Sequence, residues 1–289
     1  MLRQRSVGDG GVRMTSGIDN LSSLVSLHTL NHVQTDLAVT EKRVSTGYNV
    51  ADAFDNGAIF AIAQSISNAN AGVAAVNSQL NGAQGLLSVA GAALGQVSDL
   101  MTQVADILTR LSDQSISSDT RAQLGTQLSG LLSTIGSDLG SAVYQGTNLV
   151  GTSGTVGVVQ DVLANQLTLS GQSSTVGGVV ANLSVGGATS VTSAGSFLLN
   201  TFLTELNNVA TSLNSIGGLN QTLHYQVQYN TSVSGALTQG LGALIDANLP
   251  AESARLHSQQ IQNQLATNSL SLTNQGPASL LNLFANRPA

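Results

Sequence analysis

Residues 59–111 decide the fold that this sequence predicts: IFAIAQSISNANAGVAAVNSQLNGAQGLLSVAGAALGQVSDLMTQVADILTRL. Alternate steps of three and four residues meet an apolar side chain at every stop, and no proline interrupts the run. A 3.5-residue period over this length indicates one long helix with a single apolar seam, packed as in a coiled coil. The seam residues are Ile59, Ile62, Ile66, Val73, Val76, Leu80, Leu87, Leu94, Val97, Leu108 and Leu111.

This helix needs partners, because each glycine inside it costs about 1 kcal/mol relative to alanine. Two later apolar stripes can supply them. One follows the candidate capping residues Ser117, Ser118 and Asp119 and comprises Leu124, Leu128, Leu131, Ile135, Leu139 and Ala142. The other comprises Leu199, Phe202, Leu206, Val209, Leu213, Ile216, Leu223, Val227, Leu237, Leu241 and Leu244.

Three polar residues, Asn220, Asn230 and Ser234, interrupt the last stripe. Polar groups in a helical seam either set the register of the partners or mark a wetter contact. The sequence leaves both explanations open and favours the wetter contact.

Between the stripes, residues 146–194 are rich in glycine and contain short alternating runs at 155–159, 166–169 and 179–185. Such runs, with turns near Gly171, Gly177-Gly178 and Gly186-Gly187, predict a small β-hairpin region. The fold class is therefore mainly α: long antiparallel coiled-coil helices formed by the N- and C-terminal parts, with a small β-hairpin-rich central insertion.

The two ends of the chain carry apolar residues that no single seam can bury. Near the N-terminus they are spaced by threes, so over five steps the apolar line winds by about 300° around a helix. A helix that is apolar on most sides must be covered on most sides, and we expect other copies to cover it. The residues concerned are Ile18, Leu21, Leu24, Leu27, Leu30, Val33, Leu37, Leu256, Ile261, Leu265, Leu272, Leu280 and Leu281.

These patterns divide the chain into four parts. Residues 1–17 are predicted to be a disordered tail without the apolar stretch of a secretory signal, unless Met14 is the true start. Residues 18–50 and 248–286 form the terminal helices, residues 51–145 and 195–247 the long-helix coiled coil, and residues 146–194 an outward-facing β region.

Composition excludes several classes of function. Only 8% of the residues are charged and the net charge is −6, so binding to nucleic acid is not expected. No uninterrupted apolar run is long enough to predict a membrane span. There is no cysteine. His28 and His32 lie four residues apart, but no acidic residue between them completes a zinc motif, so neither a metal nor any other cofactor is predicted, and we expect no enzymatic activity.

Several ordered motifs resemble those of bacterial flagellin. The chain has RVSTG at 43–47, DNGA at 55–58 and AIA at 61–63, where the family has RLSSG and DDAAG-x-AIA. Its YQG at 144–146 is similar to the family's FNG, and residues 244–284 align without a gap. The motif residues are Arg43, Ser45, Gly47, Asp55, Gly57 and Ala58.

The resemblance implies a structural subunit that self-assembles into the extracellular flagellar filament for swimming motility. In flagellins the terminal helices form the inner core of the filament, the long helices surround it and the variable middle faces outward. The resemblance also implies export through the flagellar type III apparatus, a chaperone on the C-terminal helix, and contacts with hook-associated and cap proteins. Two alternatives are a hook–filament junction protein and a secreted adhesin that uses its β region.

Overall fold

The chain forms two compact units. The computed structural model describes residues 12–151, 154–172, 178–183, 195 and 197–285, with side chains between 21 and 275 except those of 183 and 199. Residues 1–66 and 239–289 form the terminal unit, and residues 67–238 form the central unit. The β hairpin belongs to the central unit, whereas the sequence predicts a separate part at 146–194.

Helices account for most of the described residues. They are α1 (Val12–Thr46), α2 (Ala53–Leu111), α3 (Ser118–Ser141), α4 (Gly178–Leu183), α5 (Leu203–Ile245) and α6 (Leu249–Ala285), with a π-helical turn at Leu198–Phe202 before α5. The strands are β1 (Thr155–Val159) and β2 (Gln166–Ser170). The predicted mainly α fold is confirmed.

The core of the central unit is the apolar seam of α2. Leu80, Leu94 and Leu108 are fully buried. They join one cluster with apolar residues of α3, α5 and the hairpin. In this cluster Ile216 of α5 lies 3.6 Å from the position that a Cβ on Gly91 would occupy, so the two helices approach closely there.

Helix α3 begins as its capping residues predict, but its buried stripe differs at one position. Ser117 is the N-cap, and its side chain accepts a hydrogen bond from the backbone of Thr120 at 3.2 Å. Leu132 is buried in place of Leu131, which is half-buried. Leu131 packs against the same core, and Leu132 joins the stripe beside it, because adjacent leucines both fit a 3–4 pattern and only packing distinguishes how deeply each is buried.

The strands β1 and β2 form an antiparallel hairpin with Val158 opposite Leu167. Their loop is stabilised by Asp161, whose Oδ1 accepts from the backbone of Leu163 at 2.9 Å and of Asn165 at 3.0 Å. Leu169 is fully buried in the central core. The hairpin therefore packs against the long helices, which explains why it belongs to their unit.

The strand predicted at 179–185 is wrong for its described residues, because residues 178–183 form helix α4. The helix buries Val179 in the core and brings Asn182 to Glu205 of α5, where Asn182 Nδ2 donates to Glu205 Oε1 at 2.6 Å. Burial and this hydrogen bond override the strand preference of the two valines. Residues 184 and 185 and the turns at Gly177 and Gly186-Gly187 lie outside the described residues.

Two of the three polar residues in the α5 seam, Asn230 and Ser234, make hydrogen bonds within the central unit. Asn230 is 4% exposed, and its Nδ2 donates to the backbone oxygen of Gln160 in the hairpin loop at 3.1 Å. Gln226 donates to the same oxygen at 3.1 Å. Ser234 donates to Asn70 of α2 at 2.6 Å. The favoured explanation of a wetter contact is therefore wrong for Asn230, which is buried, whereas Ser234 is half-buried and Asn220 is exposed.

We expect Asn230→Ala to lower the free energy of unfolding by about 1–2 kcal/mol, because it removes a buried hydrogen bond to the hairpin. Asn220→Ala, on the exposed side of the same helix, is the matched control and should change it by less than about 0.5 kcal/mol. Urea titration followed by circular dichroism measures both. Equal effects would contradict a specific role for Asn230.

In the terminal unit α1 and α6 pack antiparallel. Ser23 donates to Asn274 at 2.9 Å near one end, and Arg43 lies 3.6 Å from Glu252 near the other. Helix α1 begins at Val12, so residues 12–17 are helical, in contrast to the disordered tail predicted for 1–17. Residues 1–11 lie outside the described residues.

Candidate assembly surface

Helix α1 leaves part of its apolar line uncovered within the single chain. Leu30, Val33 and Leu37 are half-buried, as expected for the side that packs on α6. Leu21 and Leu24 instead are 61% and 63% exposed, and Leu27 is also exposed. The apolar line therefore leaves the α1–α6 contact as it winds around the helix. The side chain of Ile18 lies outside the described residues.

Helix α6 presents a second uncovered set. Leu256 is half-buried, whereas Ile261, Leu265 and Leu272 are exposed, the last at 72%. Between the two helices Val25, Val33 and Leu265 line a groove of about 490 Å³. Contiguous exposed apolar surface of this kind usually marks an interaction site. The side chains of Leu280 and Leu281 lie outside the described residues.

The predicted seam of α2 changes its exposure along the helix. Ile62 is 52% exposed, and Ile59 and Ile66 are half-buried. These three belong to the terminal unit. The seam residues of the central unit are buried: Val73, Val76, Leu80, Leu87, Leu94, Val97, Leu108 and Leu111.

The turns that follow α1 and precede α6 are hydrogen-bonded to each other. Gly47 ends α1 with a φ of 76°, a left-handed conformation that favours glycine, and its N–H donates to the oxygen of Arg43 at 2.9 Å. The backbone of Ala247 donates to Gly47 at 2.9 Å, and that of Asn49 donates to Ile245 at 2.7 Å. The N- and C-terminal parts of the terminal unit are thus joined at this point, which we call the joint.

Helix α2 starts at this joint with a reciprocal cap. Asp52 Oδ1 accepts from the backbone of Phe54 at 2.8 Å, and Asp55 Oδ2 accepts from that of Asp52 at 3.2 Å. Asn56 has non-helical backbone angles, and its side chain accepts from Ile59 at 3.1 Å. Asn56 therefore caps the helix a second time, which gives the DNGA motif a structural role.

Lys42 binds both acidic residues of this cap. Its Nζ lies 2.7 Å from Asp52 Oδ2 and 2.7 Å from Asp55 Oδ1. These hydrogen bonds lower the pKa of both carboxyls below their ordinary 3.8, and they raise the pKa of Lys42 above 10.5. The ion pairs should therefore be present across the neutral range.

We expect the joint to loosen in acid. A carboxyl with a lowered pKa stabilises the fold above its unfolded value of 3.8, and this contribution is lost as the pH falls through the lower folded value. Amide chemical shifts of Ala51 and Asp52, followed by NMR, should therefore titrate below pH 3.8. In Lys42→Met these midpoints should move up towards 3.8. Midpoints that stay the same in Lys42→Met would contradict the conclusion that Lys42 lowers the pKa of Asp52 and Asp55.

A second charged group links α1 to α6. Arg43 and Arg255 lie 3.6 and 3.5 Å from the same Oε1 of Glu252. Ser45, Gly57 and Ala58 of the motif residues are exposed. The pairing of residues 47–50 with 245–247 could not be predicted from the sequence, because almost every residue type carries the backbone groups that form it.

Within the described ranges, no group of three or more His, Asp and Glu side chains has the geometry to hold a metal ion. One described helix, α2, is apolar enough to cross a membrane, with a mean hydropathy of 1.3 over a window that is 17% buried. Hydropathy alone is weak support for a membrane span, because a helix covered by other protein passes the same test.

Comparison with known proteins points to one family. The family model described as the bacterial flagellin N-terminal helical region matches residues 18–155. Flagellin FljM of Caulobacter vibrioides is 28% identical over 266 residues, which cover 92% of this chain and 97% of the relative. A flagellin of Brucella melitensis is 29% identical over 283 residues, which cover 94% and 99%.

A solved structure supports the fold alone. The chain superposes on a protein described as a flagellar hook-associated protein of Vibrio parahaemolyticus with a TM-score of 0.55. The two are 15% identical, and the match covers 66% of this chain and 100% of that one. The family match, the full-length relatives and the helical fold together place the chain in the bacterial flagellin family, as a structural subunit of the flagellar filament.

Proposed function

We propose that this subunit polymerises by burying the exposed apolar residues of α1 and α6 against sister copies. The observation that supports this most directly is the exposure of Leu24, Leu265 and Leu272 on helices that are already paired with each other. Burial stabilises by about 25 cal/mol per Å² of apolar surface, so many such contacts repeated along a filament give a strong drive to assemble.

The low charge of the long helices α2 and α5 also favours assembly into a filament. From residue 56 to 98 of α2 and from 206 to 245 of α5 the sequence has no Asp, Glu, Lys or Arg. Identical copies in a lattice repeat every surface charge at each step, and like charges brought together in this way oppose assembly. An uncharged polar surface avoids this repulsion.

We also propose where the subunit is located and which other proteins contact it. The filament lies outside the cell, so the subunit is exported, and α6 is the segment that an export chaperone would shield. Hook-associated and cap proteins would contact the same terminal helices at the two ends of the filament. Residues 18–50 and 248–286 then form the filament core, and the hairpin region of 146–194 lies nearer the outside.

Seeded growth tests the proposal. Purified monomer added to sonicated filament fragments should elongate them into long fibres, measured by electron microscopy. A junction protein would add once and stop, which would favour the hook-associated alternative. Co-flotation with lipid vesicles and no growth on seeds would instead assign the exposed apolar surface to a membrane.

A further inference from the structure

His28, His32 and Asp36 follow one another at four-residue intervals along α1. Side chains with this spacing lie on one face of a helix, with neighbouring Cβ atoms about 5–6 Å apart. All three are exposed, whereas Leu30 and Val33 on the side towards α6 are half-buried. The two imidazoles are therefore neighbours on the outer face of the terminal unit.

Asp36 lies beside His32, one helical turn further along α1. The Nδ1 of His32 lies 3.0 Å from Oδ2 of Asp36. A neutral imidazole that donates its Nδ1–H to a carboxylate carries its free lone pair on Nε2. This arrangement of carboxylate and histidine is the one that orients metal-binding histidines in proteins. Sequence spacing alone missed it, because residues 29–31 contain no acidic side chain.

We propose that His28 and His32 bind one divalent transition-metal ion, such as Zn²⁺ or Ni²⁺, with Asp36 as a positioning residue. Imidazole nitrogen suits these ions, whereas Mg²⁺ and Ca²⁺ take oxygen ligands. Two histidines leave coordination positions that water fills, since Zn²⁺ takes four ligands in most proteins. Each imidazole binds a metal ion through a ring nitrogen that carries no proton.

The site lies on the surface that the proposed function assigns to sister copies, and this part of the inference rests on that function. Val25 and Val39, which precede and follow the three polar residues on the same helical face, are 58% and 41% exposed. A hydrated dication held between them adds charge to an apolar contact and opposes its burial. Bound metal therefore slows the addition of subunits.

Calorimetric titration of the full-length monomer with ZnCl₂ tests binding separately from assembly. The wild-type chain should bind one ion, and His28→Ala or His32→Ala should abolish binding. His257→Ala on α6 and His224→Ala on α5 are matched controls and should bind normally. Asp36→Asn should weaken binding by roughly 10-fold or more. It should also change the Zn²⁺-induced shift of the His32 ring nitrogens in NMR, a readout that a merely structural role would not move.

Absence of binding, or equal binding by the wild-type chain and the His28→Ala variant, would overturn the site. In a second experiment, ZnCl₂ should slow seeded growth of the wild-type chain but not of His32→Ala, and a chelator should restore it. Unchanged growth with metal bound would overturn the effect on assembly. Failure of the metal-free chain to grow would count against the proposed function and leave the binding result standing.

Discussion

We expect a chain that carries both Leu24→Asp and Leu265→Asp to stop elongating fibres while its fold stays intact. Both residues are more than 60% exposed in the single chain, at 63% and 62%. Their substitution should therefore change the free energy of unfolding by less than about 1 kcal/mol. In a fibre the new carboxylates would lie in apolar contacts, where an unpaired charge costs several kcal/mol. A cost of about 1.4 kcal/mol weakens an equilibrium constant for binding tenfold, so the critical concentration for assembly should rise by at least about 100-fold.

The matched control is Leu163→Asp. Leu163 is 81% exposed, but it lies in the hairpin loop of the central unit, away from the terminal helices in sequence. Fibre growth by the Leu163→Asp variant should match that of the wild-type chain. Growth of the double variant at the wild-type rate, or loss of growth in Leu163→Asp, would contradict the assignment of the surface. Light scattering on seeds measures growth, and circular dichroism measures the fold.

The second large effect is expected in the core, where Leu94→Ala should destabilise the central unit by about 2–5 kcal/mol. Leu94 is fully buried in the α2 seam and contacts the cluster that α3, α5 and the hairpin share. Its truncation loses apolar burial and leaves a cavity. A domain of this kind is stable by only about 5–15 kcal/mol, so much of the stability would be lost.

Urea unfolding of Leu94→Ala and of the exposed control Leu163→Ala measures this difference. The control should lie within about 0.5 kcal/mol of the wild type. A cost below about 1 kcal/mol for Leu94→Ala would mean that the seam is not the core. Fibre growth by Leu94→Ala should fall only in proportion to its unfolded fraction, in contrast to the surface variant.

The mainly α fold could be predicted from the sequence because its signal is long. The apolar period of residues 59–111 persists over many turns, so no single ambiguous position affects it. Short elements lack this redundancy. Residues 178–183 contain two valines typical of strands, yet they form a helix that buries Val179 and places Asn182 within 2.6 Å of Glu205. Leu131 and Leu132 are a further example, because the sequence pattern alone does not show which of two adjacent leucines is more deeply buried.

The assembly surface could be predicted in part. Spacing by threes indicated that one partner helix could not cover the whole apolar line of α1, and Leu21 and Leu24 are exposed in the single chain. That sister copies cover them stays a prediction. The joint could not be predicted, because Gly47 pairs with Ala247, and Asn49 with Ile245, through backbone groups that are far apart in sequence. Asn230 could be recognised as an interruption of the seam, but its acceptor lies in a distant loop.

Site-specific labelling can show whether assembly covers the exposed leucines of α1 and α6. The chain has no cysteine, so single Leu24→Cys, Leu265→Cys and Leu163→Cys variants each carry one thiol. A maleimide should label all three rapidly in the monomer. In seeded fibres of the same variants, residues 24 and 265 should be protected while residue 163 still reacts. Equal labelling of residues 24 and 265 in monomer and fibre would contradict this prediction, because their apolar surface would then remain open after assembly.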